Sequence, residues 1–292
     1  MNVNPKYVKP QIRNLKKMRG LSMFKLGNRK SYWQVSETLV DLRRTQKYGK
    51  SVTLPAQPQE VIFDLEHTAV IVIDMQNDFC TPGGWLDSIG VDTSPLLNPV
   101  SRLNRLIPEL RKAGVPVIWV NWGNREDRMN VPPSVLHVYN SDGRGNGIGD
   151  PLPGNGSKVL EKGSWGTALV DGLDSSPDDI YVDKYRMSGF WDTPLDSILR
   201  NLNIQTVLFA GVNLDQCVMH TLQDAACLGY DGILLEDCSA TSSPDFCIEA
   251  TLYNIKQCYG FVTDSTWLVH ELSGGATPIK RNTSEELASL EG

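Results

Sequence analysis

The sequence predicts an α/β fold: a doubly wound, mainly parallel sheet of about six strands with helices on both faces. Three observations predict it. Ala69–Ile73 is an unbroken apolar, β-branched run, the pattern of a strand covered on both faces. Residues 99–113 place Val100, Leu103, Leu106, Ile107 and Leu110 at helical spacing, with Gly114 as a stop. Strand-like and helix-like patterns then alternate to the end of the chain, as a doubly wound sheet requires.

Taken in order, the first strand is Ala69–Ile73 and the first long helix spans 99–113. Val115–Val120 is the second strand. A Gly-rich stretch from Gly123 to about Gly163 is too long for a simple connection and is read as functional or flexible. Asp179–Val182 is a strand and Thr193–Leu202 a helix that Thr193 and Pro194 open. Thr206–Ala210 is a strand, and Asp215–Leu228 a helix closed by Gly229. Gly232–Leu235, a helix over Pro244–Cys258 and a short strand Phe261–Thr263 complete the pattern. The divisions expected are an N-terminal arm (1–68), one catalytic domain (69–272) and a polar tail (273–292). Residues 1–36 hold nine Lys or Arg and no acid. A transit peptide is Arg-rich and acid-poor, but this stretch leans on Lys and contains Pro5 and Pro10. An arm packed on the body or on a neighbouring subunit fits better, with Trp33, Val35, Leu39 and Leu42 giving residues 32–46 something to bury.

Composition excludes several classes. The 292 residues carry a net charge of −6, without the basic footprint that nucleic acid binding needs. No apolar run approaches a membrane span of about 20 residues. Six cysteines without a C-x-x-C pair, and no export signal, predict reduced thiols and a cytoplasmic location. His67, His137, His220 and His270 show no ligand spacing, so neither metal nor cofactor is expected.

Ligands of such sheets sit beyond the C-terminal ends of the strands, and three reactive residues fall there. Asp74 follows Ile71-Val72-Ile73. Lys184 follows Ile180-Tyr181-Val182-Asp183. Cys217 lies just past Ala210-Gly211-Val212, in the first turn of the next helix. Singly, each has a plainer reading as a turn cap, a surface charge and a core thiol. Together they make a nucleophilic site. A thiol at a helix N-terminus has a depressed pKa, a carboxylate takes its proton, and an ammonium steadies both anions.

The segments Val72-Ile73-Asp74-Met75-Gln76-Asn77-Asp78-Phe79, the one around Lys184, and Gly211-Val212-Asn213-Leu214-Asp215-Gln216-Cys217-Val218 resemble the isochorismatase-like cysteine hydrolases over roughly residues 68–270. Within that family the ureidoacrylate-cleaving branch is the most similar, through Thr81-Pro82-Gly83-Gly84, Lys162-Gly163-Ser164-Trp165 and Arg186-Met187-Ser188-Gly189-Phe190. The resemblance implies a three-layer sandwich with an Asp74–Lys184–Cys217 triad, no cofactor, and a homo-oligomer (dimer or tetramer). It implies hydrolysis of a C–N bond in a small ureide or amide through a thioester on Cys217. It also implies a cis Val212–Asn213 peptide and an oxyanion hole made by the N–H groups of Asn213 and Cys217. Departures are Asn213-Leu214 where the family has Ala-Thr, and Met187 where the ureidoacrylate branch has Tyr. Phe79, Trp122 and Phe190, placed beside strand ends, are candidate aromatic walls. Asn124, Met187 and Ser188 are candidate discriminators of substrate. The other substrates that fit are N-carbamoyl amino acids, biuret and lactams. A nicotinamidase-type metal site would need an Asp-x-His after the second strand, where the chain reads Gly123-Asn124-Arg125-Glu126-Asp127-Arg128. Outside enzymology, the alternatives are an assembly protein that kept the fold, and a redox sensor pairing Cys217 with Cys80.

Overall fold

The structure, a computed structural model, describes residues 23–27, 32–43 and 49–274. The basic segment before residue 23, residues 44–46 of the expected arm element and the tail from residue 275 lie outside the described residues.

The arm is built as a sheet. Strands β1 (Phe24–Gly27), β2 (Tyr32–Val35), β3 (Leu39–Asp41), β4 (Ser51–Leu54) and β5 (Glu60–Asp64) form a five-stranded mixed sheet in the order β1-β2-β3-β5-β4. Alternation drives it: Val52 and Leu54 are buried while Ser51 and Thr53 are half-exposed. Val61 and Phe63 supply its inner face and join the main core. A bridge between Gln57 and Val262, and Trp33 tilted on Phe261 at 6.1 Å, tie it to the body.

The body is the doubly wound sheet. Its strands are β6 (Thr68–Ile73), β7 (Val117–Trp122), β8 (Ile180–Lys184), β9 (Thr206–Gly211), β10 (Asp231–Ser239) and β11 (Gly260–Thr263). The order is β11-β10-β9-β6-β7-β8, and every pair is parallel. All six residues of β6 and of β9 are buried, which is why both read as continuous apolar runs. From β6 the chain winds outward through β7 to β8, then returns to β9 on the other side of β6. The topological switch point is therefore between β6 and β9, where Asp74 and Cys217 follow the strand ends.

The helices are α1 (Asn77–Cys80), α2 (Trp85–Ser88), α3 (Pro99–Lys112), α4 (Pro133–Tyr139), α5 (Leu195–Asn201), α6 (Met219–Leu228), α7 (Asp245–Asn254) and α8 (Ser265–Leu272). In α3, the residues expected at helical spacing, Leu103, Leu106, Ile107 and Leu110, are buried. Gly229 closes α6 in the left-handed conformation, φ 95°. Two helices differ at one end from the sequence reading. The helix expected over 215–228 begins with a π turn, Leu214–Val218, and the one expected over 244–258 ends in another, Ile255–Tyr259. Helix α8 has no counterpart in that reading. Asp264 caps it by accepting the Thr266 N–H, and Trp267 and Leu268 bury its inner face.

Candidate active site

The end of β6 is shaped by backbone conformation. Asp74 is left-handed (φ 52°), a region that asparagine and aspartate tolerate better than most residues, and its carboxyl is buried. Gly211 ends β9 at φ 113°, and a Cβ there would collide with the backbone of Ile73, so only glycine brings the two strand ends this close. On β8, burial alternates so that Val182 and Lys184 face inward while Tyr181 and Asp183 face out.

These three strand ends bring Asp74, Lys184 and Cys217 together. Lys184 Nζ lies 2.9 Å from Asp74 Oδ2, and side-chain exposure is 0% for the lysine and 1% for the aspartate. The same ammonium donates to Cys217 Sγ at 3.3 Å and to the Arg186 carbonyl at 3.1 Å. It also sits 4.0 Å over the ring of Trp122. Three acceptors and an aromatic face replace the water that burial removes from the charge. The other carboxylate oxygen of Asp74 accepts from the Trp122 N–H at 3.2 Å. Gln76 shares that N–H at 2.9 Å and donates to the carbonyls of Trp122 and Thr167, pinning the end of β7 to the loop beyond it.

The electrostatics correct one expectation. Cys217 sits in the π turn that leads into α6, but its thiol is not acidified. Burial, with a contribution from the Asp74 carboxylate, pushes it up to about 12, outweighing the Lys184 ammonium. Burial also raises the Asp74 carboxyl above its ordinary range, with Lys184 pulling the other way. The resting cysteine is thus a thiol.

The other candidates are distributed unevenly. Met187 is brought to Cys217, its Sδ 3.8 Å from the cysteine Sγ. Trp122 lies over Lys184, and its indole N–H is buried without a hydrogen-bond partner. Asn124 is fully buried, donates through Nδ2 to the Leu160 carbonyl at 3.0 Å, and leaves Oδ1 without a partner. Asn213 follows a cis peptide bond from Val212. Its Oδ1 accepts the Ser242 N–H at 3.3 Å, and its own N–H has no acceptor among the described residues. Ser188 caps the following turn by accepting the Phe190 N–H. Phe79 is buried in the core on α1. Phe190 stacks on Tyr230 at 5.9 Å, and the N–H of the preceding Gly189 is held by Thr221. Tyr230 in turn bonds Asp196 on α5, so the Phe190 ring packs between elements at the foot of α6. Cys80 is a free, fully buried thiol whose pKa burial raises, which makes it a poor resolving partner for Cys217. Among the described residues no group of three or more His, Cys, Asp or Glu is arranged to hold a metal ion. No described helix is long and apolar enough to cross a membrane.

Two residues had no role assigned from sequence. Asp78 accepts the N–H groups of Trp85 (3.3 Å) and Leu160 (2.7 Å), latching the long β7–β8 connection onto α1. Gly166 packs so close to this carboxylate that a Cβ would strike it. Tyr139, at the end of α4, packs tilted on Trp85 at 4.6 Å and edge-to-face on Trp122 at 5.4 Å. Asp78 belongs to the motif after β6 and was visible there; Tyr139 lies in the irregular stretch that carries no periodic signal.

The sequence model of the isochorismatase domain matches residues 68–266, and the chain belongs to the isochorismatase family. Solved structures agree. A cysteine hydrolase from Pseudomonas syringae pv. phaseolicola 1448A is 25% identical with a TM-score of 0.61, covering 73% of this chain and 95% of that one. The N-carbamoylsarcosine amidase of Thermoplasma acidophilum is 26% identical with a TM-score of 0.51, covering 68% and 96%. A pyrazinamidase/nicotinamidase from Streptococcus mutans UA159 shares the fold at 22% identity and a TM-score of 0.54, covering 67% and 99%.

Proposed function

We propose that this protein is a cysteine amidohydrolase that cleaves a C–N bond of a small ureide or amide through a thioester on Cys217. The observation that carries the reading is the buried ammonium of Lys184, 2.9 Å from Asp74 and 3.3 Å from the Cys217 sulfur, beyond the C-terminal ends of β8, β6 and β9 in one parallel sheet. The likeness to a cysteine hydrolase and to an N-carbamoylsarcosine amidase supports it.

The thiol is protonated at rest, so attack and deprotonation go together. Asp74 takes the Cys217 proton as the sulfur bonds to the substrate carbonyl carbon, and Lys184 keeps the carboxylate ionised until that moment. The oxyanion that forms is met by the N–H groups of Asn213 and Cys217. Each such donor is worth roughly a hundredfold or more in rate. Collapse of the tetrahedral adduct breaks the C–N bond, and protonated Asp74 returns its proton to the leaving nitrogen. Asp74 then takes a proton from water as that water attacks the thioester, and the thiol leaves with the proton restored. Ureidoacrylate, N-carbamoyl amino acids, biuret and lactams all present the carbonyl this scheme needs.

The test is ammonia release by wild type and Cys217→Ala against ureidoacrylate, N-carbamoyl-β-alanine, biuret, nicotinamide and a γ-lactam, the last followed by ring opening. Turnover of a ureide that disappears in the variant is the expected result. Hydrolysis that persists without Cys217 would overturn the mechanism.

A further inference from the structure

The connection between β7 and β8 delivers one phenol to the neighbourhood of the triad. Tyr139 is buried, and its ring meets Trp122 edge-to-face at 5.4 Å, while Trp122 carries the Lys184 ammonium 4.0 Å over its own ring. The phenol is therefore one aromatic ring removed from the lysine that holds Asp74 and Cys217. Trp85 supports its ring from another side at 4.6 Å and is itself fixed by donating to the Asn146 carbonyl. A buried tyrosine ordinarily finds a partner for its O–H. This hydroxyl makes no hydrogen bond to a described residue, yet its oxygen is not sealed off and keeps some accessible surface; the indole N–H of Trp122 is sealed off without a partner. Burial and the nearby Cys217, Asp74 and Asp78 all push the phenol's ionisation well above its usual range, so it stays a neutral donor.

Resting on the amidohydrolase reading above, we propose that Tyr139 is a substrate-recognition residue whose hydroxyl donates to an uncharged carbonyl of the ureide, away from the bond that is cleaved. The charge pattern argues for an uncharged acceptor. Of the two carboxyl groups near the phenol, Asp74 is matched by Lys184 and Asp78 has no cationic partner among the described residues, while the cations nearest in sequence to the site are already matched. Lys184 is paired with Asp74, Arg186 with Asp192, Lys162 with Asp183 and Arg128 with Asp150. Among the described cations between residues 123 and 192, only the exposed Arg144 has no acidic partner. A substrate carboxylate would thus meet the Asp78 carboxyl and no buried unpaired cation, whereas a second neutral carbonyl suits a phenol donor.

Tyr139→Phe keeps the ring against Trp85 and Trp122 and removes only the O–H. The full chain and this variant are compared with biuret, uncharged, and N-carbamoyl-β-alanine, which carries a carboxylate. Ammonia release gives kcat and KM. Alkylation of Cys217 by iodoacetamide, read on its own peptide by mass spectrometry, gives the protection each compound affords. The expected result is that biuret is favoured by wild type, and that its KM and protection constant rise about tenfold or more in the variant. Alkylation without ligand and the melting temperature stay unchanged. Equal biuret constants in the two proteins, or preference for the carboxylate compound, overturn the role given to Tyr139 while leaving the amidohydrolase reading intact. If neither compound is hydrolysed or protects Cys217 in wild type, the ureide reading falls and this proposal with it.

Discussion

Two lysine–aspartate pairs meet on consecutive residues of β8, and they have opposite fates. Asp183 points outward and pairs with Lys162 at 2.5 Å, with side-chain exposures of 43% and 70%. Lys184 points inward and pairs with Asp74 at 2.9 Å, with both side chains essentially inaccessible. Strand alternation alone puts the two on opposite faces. The outer pair exchanges water for water-screened attraction and gains little. The inner pair exists at a desolvation cost that only further partners offset, and those partners are the Cys217 sulfur, the Arg186 carbonyl and the Trp122 face. Identical chemistry becomes a surface ornament on one side of the strand and a candidate catalytic device on the other. Solvation makes the difference.

The comparison breaks most visibly at Asp74. Asp74→Asn preserves shape but removes the base, and hydrolysis is expected to fall by roughly a thousandfold or more in steady-state assays. Wild-type kcat/KM should decline on the acid side at a pH above 3.8, the ordinary value, because burial raises this carboxyl and only its ionised form accepts the thiol proton. A limb at or below that value would contradict the assignment. Next in size is Lys184→Met, which leaves Asp74 buried without its cation. Chemical denaturation should show a loss of about 3–5 kcal/mol, or an Asp74 that has become protonated, visible as proton uptake.

Asp78 gives a smaller, pH-dependent effect. Its folded-state pKa is raised by burial from 3.8 to about 6. The unfolded chain therefore releases this proton first, and the contribution of Asp78 to stability declines as pH rises from about 4 to 6. Against Asp78→Asn, which does not titrate, the stability difference should move toward the variant by on the order of 2–3 kcal/mol across that window. A flat difference would show that Asp78 is better solvated than its contacts suggest. Smallest of all is Lys162→Met: stability should change by less than about 1 kcal/mol, and hydrolysis not at all. A large loss there would erase the contrast between the two pairs.

What the sequence disclosed follows the physics of each element. Strands β6 and β9 were legible because both faces are covered, which forces unbroken β-branched runs, and parallel order places their C-terminal ends together. The positions of Asp74 and Cys217 just past these strands, and of Lys184 at the end of β8, were legible in the same way. The arm sheet was half legible: Trp33, Val35, Leu39 and Leu42 announced burial, but five short strands in mixed order leave no long period. Helix α8 was passed over because its apolar face is confined to eight residues. The acidity of Cys217 was misjudged because a sequence shows a helix start but not the depth at which the thiol sits. Phe190 was placed beside the strand end by adjacency in sequence, which does not reveal its stacking on Tyr230. Tyr139 reached its position through a long connection whose path is set by the Asp78 latch to Leu160, a contact 82 residues apart in sequence.

The most direct test of the central claim is mass spectrometry of the protein quenched within milliseconds of mixing with its best ureide. The account predicts an acyl adduct on the Cys217 peptide in wild type, absent in Asp74→Asn. Steady turnover with Cys217 unmodified at every quench time, under conditions that preserve a thioester added chemically to the same residue, would contradict it.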